Sequence, residues 1–91
     1  MASPIRQNTA LSRFELDAEG GTATAHYRLA DGTMILHHTE TPPHLRGRGI
    51  ASDVVRGALE AARAQGLKVA PRCGFVRRYM AQHPEFNDLL A

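Results

Sequence analysis

The run Arg46-Gly47-Arg48-Gly49-Ile50-Ala51 decides how this chain is read. It follows the pair Pro42-Pro43 and leads directly into an apolar pattern of helical period, so it is a glycine turn opening a helix. Without Cβ atoms at Gly47 and Gly49 the backbone can approach a ligand closely. The first N–H groups of a helix have no intrahelical acceptor and sit at the positive end of its dipole, so the expected guest is a phosphate or pyrophosphate. Two commoner phosphate motifs do not fit. A P-loop requires Lys and then Ser or Thr after its last glycine, where this chain has Ile50 and Ala51; a dinucleotide fingerprint requires a third glycine, where it has Ser52. The plain alternative is a tight turn into a helix with no ligand at all.

Downstream, Ile50, Val54, Val55, Ala58, Leu59 and Ala62 recur at helical spacing, with Asp53, Arg56, Glu60 and Arg63 on the other side. Gly66 stands where a left-handed helix terminus is wanted. Residues 67–70 then read as a short strand broken by Pro71, and Phe75, Val76, Tyr79 and Met80 as a second helix stopped by Pro84. Upstream, residues 13–17 alternate, and Ala18-Glu19-Gly20-Gly21 marks a turn. Residues 22–29 alternate strictly, and Asp31-Gly32 closes a hairpin. Residues 33–40 are apolar on both faces at first (Met34, Ile35, Leu36), which predicts a strand covered on both sides. The order is three strands, helix, strand, helix. The strands flanking the first helix should be parallel neighbours, by the handedness of such crossovers. Residues 1–10, polar and containing Pro4, are expected to be a loose leader to a single domain over 11–91.

Ninety-one residues make one modest core. The net charge of +2 comes from arginines scattered among acids, with Lys68 the only lysine, so a nucleic-acid-binding stripe is not expected. No run approaches a membrane span, and the start lacks a signal-peptide pattern. With a single cysteine, Cys73, the chain is expected to be soluble, cytoplasmic and free of internal disulfides.

With this order in hand, further residues join the glycine turn. His38-Thr39-Glu40-Thr41-Pro42-Pro43, then Leu45 to Ser52 with its Arg-x-x-Gly-x-Ala form, Cys73-Gly74-Phe75-Val76 and His83-Pro84-Glu85-Phe86 resemble the very small single-domain subfamily of the GCN5-related N-acetyltransferases. The resemblance covers nearly everything from Arg13 onward. It implies a minimal α+β fold of that family: antiparallel strands, a β-α-β unit with splayed parallel strands, and a C-terminal helix. It further implies acetyl-CoA as cosubstrate in the V-shaped gap between the splayed strands. Backbone groups of Thr39 and Thr41 would pair with the pantetheine arm, and Arg46, Gly47, Arg48, Gly49, Ile50, Ala51 and Ser52 would hold the pyrophosphate. Ligands beyond the carboxyl ends of parallel strands are also the general expectation. The large helices between the first strands of bigger relatives are missing here, and the acceptor amine cannot be read from these residues.

Acetyl transfer needs a proton acceptor for the amine and a way to manage the departing thiolate. Glu40, at the end of a strand, is the candidate base. His37 and His38, adjacent in a strand, are expected to point to opposite faces, with His38 packed beside Met34 and Leu36; no set of residues has metal-ligand spacing, and no metal is expected. Cys73 lies at the start of the last helix beside Arg72, where a thiolate is favoured, and the resemblance implies that it borders the thioester end of acetyl-CoA, which makes it the candidate acetyl carrier; its other reading is a small buried hydrophobe. The resemblance also offers Tyr79 as an acid toward the coenzyme sulfur, a role a tyrosine often has in larger relatives, although its spacing from Phe75 also suits the core. The rival to an enzyme is a non-catalytic acyl-CoA-binding module, which would need neither Glu40 nor Cys73.

Overall fold

Alternation in the first half of the chain and helical period in the second build one sheet with its helices on a single face. In the computed structural model, which describes residues 5–91, β1 (Ile5–Asn8), β2 (Arg13–Ala18), β3 (Gly21–Ala30), β4 (Thr33–Glu40), α1 (Ile50–Ala64), β5 (Lys68–Pro71) and α2 (Gly74–Gln82) follow in turn. The sheet order is β1-β2-β3-β4-β5. The first four strands are antiparallel neighbours, and β5 pairs parallel with β4. This is the expected α+β architecture.

Each turn has its chemical reason. Asp31 (φ 51°) and Gly32 (φ 76°) both adopt the left-handed conformation that a two-residue hairpin of matching twist requires. The end of α1 is closed by hydrogen bonds from Leu67 N–H to Ala62 O (2.9 Å) and Gly66 N–H to Arg63 O (3.2 Å), with Gly66 at φ 72°. The core lies between α1, α2 and one sheet face: Phe14, Leu16, Ala23, Ala25, Tyr27, Met34 and Leu36 meet Val54, Val55, Ala58, Leu59, Ala62, Val76 and Met80. No helix among the described residues is long and apolar enough to cross a membrane.

Three expectations are corrected. Within the leader expected over 1–10, residues 5–8 form β1, paired along β2, and Ile5 packs against Gly57 of α1, where an added Cβ would meet Ile5 Cδ1 at 2.6 Å; residues 1–4 lie outside the described residues. Secondly, β4 is covered on one side only. Its register places Ile35 opposite Arg28 and Ala70, on the face that also carries Arg6, Arg13, Glu15, Asp17 and His26. That face is polar and held by ions: Glu15 accepts from Arg6 Nε (2.7 Å), Arg13 Nε (2.6 Å) and Asn8 Nδ2 (3.1 Å). One wet face is normal for an antiparallel sheet.

The third correction concerns the adjacent histidines. Tyr27 pairs with Leu36 but His26 pairs with His38, so β4 carries one extra residue, His37, in a bulge. Beyond it the alternation is re-phased. His38 leaves the core face and stands with His26 and Glu40, and Thr39 turns to the helix side opposite Ala25. Both histidine rings therefore surround His26, at centroid distances of 6.4 Å for His37 and 5.4 Å for His38.

Candidate functional site

The parallel pair β4–β5 is short because β5 ends at Pro71, its fourth residue. Past it, the N–H groups of Arg72 (2.9 Å) and Cys73 (3.1 Å) both converge on the Leu36 carbonyl, which is where the two strands part. From His37 to Glu40, β4 has no strand partner on that side among the described residues. A cavity of about 910 Å³ adjoins this free edge; it is lined by residues 38–43, by Arg46, Gly47 and residues 49–52, and by Phe75. The splayed gap and the glycine turn thus belong to one space.

The turn is shaped for a close guest. Gly47 (φ 82°) and Gly49 (φ 77°) are both left-handed, and a Cβ built on either meets nothing within 4 Å. Gly49 is the N-cap of α1, which has no side-chain cap. The N–H groups of Ile50, Ala51 and Ser52 consequently begin the helix without acceptors, and all three residues line the cavity. Arg46 lies at the same wall, its Nε donating to the Thr41 carbonyl at 3.3 Å. Glycines that leave room and donors that lack acceptors fit a pyrophosphate. The loop leading there rests on the β2–β3 hairpin: Pro42 and His44 sit over Gly21, and the His44 ring bonds the Glu19 carbonyl at 3.1 Å. Arg48, named with the turn, points away and pairs with Glu19.

Cys73 caps α2 in an extended conformation (φ −83°, ψ 134°), its Sγ 3.6 Å from Thr39 Oγ1. Burial opposes its thiolate. The Thr39 hydroxyl and the backbone N–H groups of Val76, Phe75 and Thr39 together outweigh that effect and hold the thiol below its ordinary value. Glu40 is exposed at the strand end, with Oε2 at 3.3 Å from His38 Nε2, and both residues line the cavity. His38 is the site residue that alternation missed, because only the bulge turns it outward. His26, behind it, is kept below its usual pKa first by burial and then by the charges of His38 and Arg13. Although three imidazoles gather here, no set of three or more His, Cys, Asp or Glu among the described residues is arranged to hold a metal ion.

Tyr79 is not brought to this place. It is 5% exposed, its ring stacks on His83 at 3.9 Å between centroids, and it is absent from the cavity wall. Burial raises its phenol pKa against the pull of Arg56.

The family model of the GCN5-related N-acetyltransferases matches residues 13–89, which take in every strand from β2, both helices and the glycine turn. The chain belongs to that family. Among solved structures, a GCN5-like protein of Staphylococcus aureus, determined by NMR, superposes with a TM-score of 0.75 at 22% identity over 99% of this chain and 89% of its own, a likeness of fold. Among curated relatives, Protein NATD1 of Xenopus tropicalis is 35% identical over 52 residues, 57% of this chain and 48% of the relative. Protein NATD1 of Homo sapiens is 37% identical over 49 residues, 54% of this chain and 43% of the relative. The matched stretch thus spans just under half the length of these relatives. The family takes its name from N-acetyl transfer.

Proposed function

We propose that the protein moves an acetyl group from acetyl-CoA to an amine. One observation carries this reading: a single cavity is bounded by the Gly47–Gly49 turn and by the unpaired edge of β4, the two features that a phosphate-bearing, extended thioester needs. The pyrophosphate is bound by the N–H groups of Ile50, Ala51 and Ser52 with Arg46 beside them. The pantetheine arm runs along Thr39 and Thr41 as an added strand, which directs the thioester toward the parting of β4 and β5.

Cys73 is next to that point, and its depressed thiol supports a covalent route. Its thiolate attacks the thioester carbonyl, a Cys73 thioester forms and CoA leaves as the thiolate. The acceptor amine then attacks the acetyl carbonyl carried on Cys73 Sγ and gives up a proton to the His38–Glu40 pair, and the C–S bond breaks to restore the Cys73 thiolate.

Mass spectrometry after incubation with acetyl-CoA tests the reading. The protein should gain one acetyl group on Cys73 and release CoA, and Cys73→Ala should lose the label while still binding CoA. Transfer to an amine by Cys73→Ala at the wild-type rate would refute the covalent route and leave direct attack assisted by Glu40. Binding with neither label nor CoA release would identify a non-catalytic acyl-CoA module.

A further inference from the structure

Three arginines stand together where β5 gives way to α2. Arg72, Arg77 and Arg78 are all exposed. Arg77 Nη1 is anchored on the carbonyls of Arg72 (2.8 Å) and Pro71 (3.4 Å). A Cβ on Gly74 would find Arg78 Nη1 at 3.6 Å and Arg77 Nη2 at 3.7 Å, so two guanidinium groups converge over one glycine, immediately after Cys73. None of the three has a carboxylate partner among the described residues, nor have Arg28 and Arg46, whereas Arg6, Arg13, Arg48, Arg56 and Arg63 each have at least one.

The Pro71 and Arg72 carbonyls account for the placing of Arg77 but not for the like charges of Arg72 and Arg78 beside it. Like charges repel, and α2 has no acidic residue in its first turn to offset them. The helix dipole makes matters worse, since that end of α2 is its positive pole. Packing does not require these side chains either, since all three residues are exposed. An uncompensated positive patch beside the proposed reacting thiol is complementary to an anion, and guanidinium forks match carboxylates in particular.

We propose that Arg72, Arg77 and Arg78 receive a carboxylate of the acceptor, so that the preferred substrate is an amine whose own molecule carries acidic groups. This rests on the acetyl-transfer reading above. The patch draws such acceptors toward the gap and holds them near Cys73, and its effect weakens as salt rises.

The test compares two peptides with free N-terminal amines, identical except that Asp and Glu in one are Asn and Gln in the other. The protein should acetylate the acidic peptide about tenfold or more faster at low salt, the effect of one charge-assisted contact. The double variant Arg77→Gln/Arg78→Gln should bring the two rates close together, chiefly through the KM of the acidic peptide. An NMR titration of the same peptides needs no turnover: the acidic one should shift the amides of residues 72–78. Equal rates with the unmodified protein, or shifts confined to residues 46–52, would overturn the proposal, as would an oligonucleotide shifting residues 72–78 at far lower concentration than the acidic peptide. Shifts at residues 72–78 with neither peptide acetylated would uphold the carboxylate patch and refute the acetyl-transfer reading instead.

Discussion

Replacing Gly49 by alanine separates what the glycine turn does for folding from what it does for a ligand. Gly49 sits at φ 77°, and a Cβ there meets nothing within 4 Å, so in the free protein the methyl group costs only its backbone strain. For an L-residue forced into that conformation the cost is about 1–2 kcal/mol. In a domain of this size that lowers Tm by roughly 4–16 °C. Gly49 itself lines the cavity. The unmodified protein at CoA a hundredfold above its dissociation constant should gain about 2.7 kcal/mol, or roughly 10–20 °C; Gly49→Ala should lose most of that gain. Gly32→Ala is the control, since Gly32 has nearly the same φ (76°) and the same empty Cβ position but lies in the β3–β4 turn. It should be destabilised to a similar degree and keep the full CoA shift. Differential scanning fluorimetry with and without CoA reads all three proteins. A CoA shift that survives in Gly49→Ala, or disappears equally in Gly32→Ala, would refute the assignment of the turn to the coenzyme.

Arg46→Ala should weaken CoA, by isothermal titration, far more than it weakens acetyl-pantetheine, which lacks the phosphates; equal losses would show that the guanidinium does not act on them. Gly57→Ala should destabilise by about 1–2 kcal/mol in urea melts, because the methyl group must displace Ile5 and overpacking outweighs the gain in helix propensity. In a chain that already carries Ile5→Ala, Gly57→Ala should cost little or nothing, and an undiminished cost would mean that the methyl group meets something else. Stability should also fall on acidification in two stages. His26 has a depressed folded pKa, so stability is intact above its unfolded value near 6.5 and declines as pH drops below it. Glu15 and Asp17 are depressed by hydrogen bonds from Arg13 and Arg6, so their contribution is complete above the unfolded carboxylate values and is lost as pH falls through the lower folded ones. Glu15→Gln should remove much of the second stage, and an unchanged profile in urea melts at graded pH would contradict it.

The glycine turn, the alternation of residues 22–29 and the parallel crossover were legible because each depends on local chemistry: φ at Gly49, side-chain period in β3, handedness around α1. What could not be seen there depends on tertiary context. Residues 5–8 have no strong strand pattern, and they pair because β2 offers a free edge and Gly57 offers a seat for Ile5. Ile35 looks like a residue for a doubly covered strand, yet all the helices lie on the other face. The bulge at His37 leaves no trace in composition, so simple alternation sent His38 inward. Of the candidate site residues, Thr39, Glu40, Thr41, Arg46, Gly47, Gly49, Ile50, Ala51 and Ser52 line one cavity and Cys73 abuts it through Thr39. Arg48 and Tyr79 lie elsewhere, one drawn away by Glu19 and the other enclosed by His83 and Phe86.

The missing side-chain cap on α1 has a consequence for motion. Gly49 has no side chain to accept a hydrogen bond from the first turn, as Ser, Thr, Asp or Asn would at an ordinary N-cap. The helix that supplies much of the core is therefore weakest at its first turn, and hydrogen exchange should run fastest there. A phosphate seated against Ile50, Ala51 and Ser52 would supply the acceptor that the polypeptide omits. Exchange would then slow at those three amides before it slowed in the middle of α1. Ligand occupancy and the completion of a secondary-structure element would be one and the same event.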